Sequence, residues 1–120
     1  MADTMTARLW AFDLEAPGQI APSSPFNQGR VVATMPDLQY FDSLAVAASG
    51  NVCVATILNG GITTITPEGT HSHIPFPDPF VTNICFGGDD MTEAWVTLSG
   101  TGKLAKCTWP EPGLALNYYL

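Results

Sequence analysis

Asp42-Ser43 and Thr82-Asn83 occupy the same place in two stretches about 40 residues apart, each directly ahead of an apolar run: Leu44-Ala45-Val46 and Ile84-Cys85-Phe86. A carboxylate such as Asp42 can orient or deprotonate a water that attacks a carbonyl carbon. Thr82 and Asn83 can offer hydrogen bonds to a polar ligand. Either pair can equally close a turn ahead of a strand, which short polar side chains do well. His71 and His73 are two apart, so on a strand they share a side, a spacing that can clamp a metal. They fall on what is expected to be an outermost strand, where solvent exposure is the expectation. Asp89-Asp90 follows Gly87-Gly88 and reads as a turn, and Pro75-Phe76-Pro77-Asp78-Pro79 reads as a rigid connection. No P-loop, dinucleotide fingerprint, zinc-finger spacing or nucleophile elbow is present.

The elements that position these residues are strands. Runs of β-branched and aromatic residues alternate with Gly, Pro, Asn and Asp, and no segment keeps a helical period. Ten strands are expected, over 7–14, 29–35, 43–47, 51–57, 61–66, 70–76, 83–87, 94–98, 103–108 and 114–119. They repeat. Leu44-Ala45-Val46 followed by Asn51-Val52-Cys53-Val54 is echoed by Ile84-Cys85-Phe86 followed by Ala94-Trp95-Val96, and Gly61-Ile62-Thr63-Thr64-Ile65 corresponds to Lys103-Leu104-Ala105-Lys106-Cys107 and to Arg8-Leu9-Trp10-Ala11-Phe12. Four strands in a period of about 40 to 50 residues are the signature of a propeller blade. The fold expected is all-β, a β-propeller fragment of about two and a half four-stranded blades, with an unrelated β-sandwich of coincidental spacing as the alternative that periodicity leaves open. Residues 1–36 would form an outer half blade, 37–80 a complete blade and 81–120 a second, with the N-terminus read as truncated.

Composition agrees. The 120 residues are 46% hydrophobic and 12% charged, with 11 Gly and 10 Pro, a balance suited to strands and turns and unlike a disordered acidic tail. The formal charge of -7 argues against nucleic acid or an anionic membrane as partner. No apolar stretch approaches the roughly 20 residues of a membrane helix, and no charged-then-apolar leader opens the chain. Cys53, Cys85 and Cys107 each sit in an apolar run and are odd in number, as expected of reduced, buried thiols in a cytoplasmic protein.

Three ordered sets of residues carry a resemblance. Phe41-Asp42-Ser43-Leu44-Ala45-Val46, Gly50-Asn51-Val52-Cys53-Val54-Ala55 and Asn59-Gly60-Gly61-Ile62 form the first. Val81-Thr82-Asn83-Ile84-Cys85-Phe86-Gly87-Gly88, Val96-Thr97 and Gly100-Thr101-Gly102-Lys103-Leu104 form the second, and Asp3-Thr4 with Arg8-Leu9-Trp10-Ala11-Phe12-Asp13 the third. Together they resemble the C-terminal portion of the gluconolactonase and regucalcin family, which includes luciferin-regenerating-like proteins. The resemblance implies a six-bladed ring, a divalent metal, calcium or zinc, held in a central tunnel by Glu, Asn and Asp side chains, and hydrolysis of sugar lactones. It places Asp42 as metal ligand and catalytic carboxylate, and Thr82 and Asn83 at the mouth of the same tunnel as substrate contacts. The family's Glu and Asn ligands have no counterpart here, Ser43 stands where Gly is frequent, and Ala47 where Asp is frequent. A lactonase piece that is weak or inactive alone is therefore expected, or a noncatalytic binding or self-assembly remnant. The exposed edge of a half blade adds an expectation of self-association as a homodimer, unless further blades cover it.

Overall fold

A computed structural model describes residues 1–22, 26 and 29–117. It is all-β, as the strand pattern requires, with twelve strands among the described residues. The middle of the chain forms one four-stranded antiparallel sheet in sequence order, β6 (Tyr40–Val46), β7 (Val52–Ile57), β8 (Gly61–Ile65) and β9 (His71–Pro75). On one side lies a sheet of β1 (Ala2–Asp3), β2 (Arg8–Ala11) and β5 (Arg30–Thr34); on the other, one of β10 (Val81–Gly87), β11 (Glu93–Leu98) and β12 (Lys103–Thr108). A small hairpin, β3 (Leu14–Ala16) with β4 (Gln19–Ile20), is inserted between β2 and β5.

The middle sheet is apolar on both faces because it is packed on both. Val54, Ile65 and Phe41 join Leu9 and Ala33 of the first sheet, with Ala7 and Met35 at the ends of its strands, in one cluster. Cys53, Ala55 and Ile62 join Val81, Ile84, Ala94 and Val96 of the last sheet, with Trp109 just past β12, in another; Cys53 is thus buried as expected, whereas Cys85 is exposed and Cys107 half-buried. Successive residues of β7 therefore point into different cores, and its interior reads Cys53-Val54-Ala55-Thr56 with no exposed position. β11, by contrast, alternates between buried Ala94, Val96 and Leu98 and half-buried Glu93, Trp95 and Thr97. On its outer face Lys106 pairs with Glu93 at 2.8 Å and lies 5.0 Å from the centre of the Trp95 ring.

Two features differ from the expected strands. The first sheet contains the short β1 beside β2 and β5, with no strand equivalent to β6 or β10 among the described residues. The tenth expected strand lies partly outside the described residues, and its described part does not extend the β10–β12 sheet. Gly113 forms a bridge to Ala47, the Leu114 N–H donates to the Val46 carbonyl and the Ala48 N–H to that of Pro112, so this segment crosses to β6. Gly113 is required there, since a Cβ would stand 2.3 Å from Phe86. Glu111 holds the same crossing, accepting from Asn51 Nδ2 at 2.9 Å and from the Ser49 hydroxyl.

The proline-rich connection 75–79 is locked by Asp78. Its carboxylate accepts from Phe80 N (2.8 Å), Gly100 N (3.2 Å), Thr101 N (2.7 Å) and Thr101 Oγ1 (2.8 Å), tying the link between blades to the β11–β12 turn. Gly100 permits this approach, because a Cβ there would lie 2.6 Å from Asp78 Oδ1.

Candidate functional site

The innermost strands of the two packed sheets carry the same irregularity at the same place. Along β6, Phe41 faces Thr56 and Leu44 faces Val54, so one extra residue is inserted over Asp42-Ser43. Along β10, Val81 faces Leu98 and Asn83 faces Thr97, so the extra residue is Thr82. Such bulges re-aim side chains next to sites of chemistry. Here the bulge in β6 leaves Asp42 and Ser43 both exposed, which regular alternation would forbid.

The structure sorts the expected site residues by what each hydroxyl, amide or carboxylate is doing. Asp42 is exposed, and its carboxylate makes no hydrogen bond among the described residues. Thr82 is half-buried, its hydroxyl engaged with those of Thr97 (2.9 Å) and Ser99 (2.6 Å). Asn83 is exposed; its Oδ1 accepts from the Ile84 N–H at 2.9 Å, leaving its Nδ2 without a partner among the described residues. Asn83 and Ser43 line one groove of about 440 Å³ between β6 and β10, and neither Asp42 nor Thr82 lines it. Ser43 is the residue that sequence reasoning did not place in a site; its position, matched to Asn83 across the repeat, was the available signal. The groove descends past Leu44, Val46, Ile84 and Phe86 and ends on Leu114 and Leu116 of the crossing segment.

His71 and His73 do share a face of β9, but His73 is not the solvent-exposed residue expected. It is half-buried, its Nδ1 lies 3.0 Å from Thr63 Oγ1, and burial pushes its pKa down while the Asn59 carbonyl works in the opposite sense. His73 Nε2 and Gln39 Oε1 are both buried without hydrogen-bond partners among the described residues.

Residues 1–100 match the SMP-30/gluconolactonase/LRE-like region. The chain belongs to the SMP-30/gluconolactonase/LRE-like family. Its all-β sheets, packed face to face, are those of a partial propeller of that family. Family members are generally metal-dependent, and the residues described here do not by themselves fit a metal. No group of three or more His, Cys, Asp and Glu side chains converges among the described residues, and Asp42 alone supplies one carboxylate where a calcium ion takes about 6–8 oxygen ligands. Nor do the described residues contain a helix long and apolar enough to cross a membrane.

Proposed function

We propose that this chain is part of a gluconolactonase-like lactone hydrolase in which Asp42 is the catalytic carboxylate and Ser43 and Asn83 contact the substrate. The observation that carries this reading is the pair of matching bulges, which present Asp42-Ser43 and Thr82-Asn83 at the same end of adjacent innermost strands. In the reaction, water adds to the lactone carbonyl, its proton passes to the Asp42 carboxylate, and the ring C–O bond breaks. The proton then goes to the departing alkoxide, giving a hydroxy acid. Thr82, with its hydroxyl already engaged, acts by holding the β10 bulge in shape. Asp42 has the additional role of one ligand in a calcium or zinc site completed by other blades, since nothing beside it among the described residues supplies the remaining ligands.

The isolated chain is expected to hydrolyse sugar lactones slowly or not at all and to bind calcium or zinc weakly, with Asp42→Ala changing little. A chimera that adds the preceding blades of a complete family member is expected to bind the metal at least about tenfold more tightly than the same chimera carrying Asp42→Ala. Calorimetry decides it, and equal affinity in the two chimeras removes Asp42 from the site.

A second reading, a noncatalytic binding or assembly module, is favoured by the absence of a converging ligand set among the described residues. It shares one expectation with the first: the first sheet, lacking an inner strand among the described residues, is covered by a second copy in a symmetric dimer. Sedimentation at micromolar concentration should give a dimer; a cooperatively melting monomer would contradict it.

A further inference from the structure

The groove beneath the two bulges has polar side chains only near its mouth. Ser43 and Asn83 stand there; among the other described residues that line it, only Cys85 has a side chain with an N–H, O–H or S–H group, and a thiol bonds weakly. The rest of the lining is aliphatic, aromatic or thioether, and the two leucines at its far end are held out toward solvent, Leu114 at 47% and Leu116 at 71% exposure. Large side chains presented in this way along a concave surface mark a place where apolar surface is to be covered. A polyhydroxylated ring lying in the groove would lose water from each hydroxyl against Leu44, Val46 or Phe86 without gaining a side-chain partner, which is unfavourable. A hydrocarbon would gain from the same burial.

The length of the groove follows from the strand that forms it. Val46, whose carbonyl accepts from Leu114 N, is three residues beyond Ser43 on β6, so mouth and floor are about 10 Å apart at roughly 3.3 Å per residue. A volume of about 440 Å³ falls in the range of small-molecule sites, roughly 300–1,000 Å³.

We infer that the lactone accepted here carries an apolar substituent, an alkyl or aryl tail that lies between β6 and β10 and ends on Leu114 and Leu116, while its ring stays at the mouth beside Ser43 and Asn83. This rests on the lactone reading of the site. It makes Leu116 a specificity-determining residue and distinguishes this chain's substrate from a bare sugar lactone.

The test is binding, which needs no turnover. The 120-residue chain is titrated with γ-lactones bearing no tail, butyl, hexyl or octyl, with glucono-δ-lactone, and with 1-alkanols of matching length, following by NMR the Leu114 and Leu116 methyls and the Asn83 side-chain amide. Affinity should rise roughly three- to fourfold per methylene until the tail reaches Leu116, then level off. Leu116→Asp, at a position too exposed to disturb the core, should flatten that series while circular dichroism shows the fold retained. Tight glucono-δ-lactone binding with a flat alkyl series would overturn the inference and leave the lactone reading standing. Alkanols binding as tightly as lactones, with the Asn83 amide unmoved, would overturn the lactone reading itself. No response from any ligand at millimolar concentration would overturn both.

Discussion

Phe41→Ala is expected to cost about 3–5 kcal/mol of stability, enough to unfold much of a domain whose total margin is about 5–15 kcal/mol. Phe41 is fully buried and sits where the first sheet meets the middle one, among Leu9, Met35, Val54 and Ile65. Alanine would leave a cavity that backbone relaxation cannot close, because the Phe41 N–H is held by the Thr4 carbonyl and the residue is paired with Thr56. Chemical denaturation of the two proteins measures it. A loss below about 1 kcal/mol would mean that the first sheet is not packed on the second. The effect on function would come through position, since Phe41 is the residue before Asp42 and begins the bulge.

Asp78→Asn is expected to lower the melting temperature by roughly 5–10 °C at neutral pH, because an amide in place of a carboxylate oxygen turns a donor toward the Phe80, Gly100 or Thr101 N–H groups. The pH dependence identifies the cause. Desolvation pushes the Asp78 carboxyl up, but the bonds from Phe80, Thr101 and Gly100 outweigh it and hold its pKa below the ordinary carboxylate value. A carboxyl depressed in the folded state stabilises fully above its unfolded pKa, about 3.9, and loses that contribution as pH falls through the lower folded value. The gap between wild type and Asp78→Asn should thus be constant above about pH 5 and shrink as pH falls below the unfolded value of about 3.9, closing only below the lower folded value. A gap unchanged over that range would mean that the four bonds do not depend on the charge of Asp78.

The strands with strong patterns were legible because burial wrote them. Val52–Ile57 and Gly61–Ile65 lie between two cores, and their short runs of apolar and β-branched residues bounded by turn residues read as strands. The very short β1, β3 and β4 carry no period and could not be read. Leu114-Ala115-Leu116 has the alternation of a strand, yet what the alternation encodes is a pair of leucines facing the groove and not a fourth strand beside β12. The candidate site was legible in residue type and not in aim. A bulge inserts one residue without changing composition, and the adjacent polar pair in Phe41-Asp42-Ser43-Leu44 is explained equally well by a turn ahead of the strand. Asp78 was hidden inside a run that reads as stiff through its prolines, while its partners at Gly100 and Thr101 come more than 20 residues later. His73 was misplaced because an outermost strand was equated with solvent, whereas the 35–39 loop and the Leu58-Asn59 turn help enclose it.

The crossing of Pro112–Leu114 onto β6 also orders events in folding. Every pairing within the middle sheet joins strands consecutive in the chain, so each closes a short loop and can form early and fast. The bridge from Gly113 to Ala47 spans far more of the chain and becomes favourable only once the β10–β12 sheet is docked on the middle one. It behaves as a latch set last and released first, so amide protons at Ala48 and Leu114 should exchange through a local opening that leaves β7 and β8 closed.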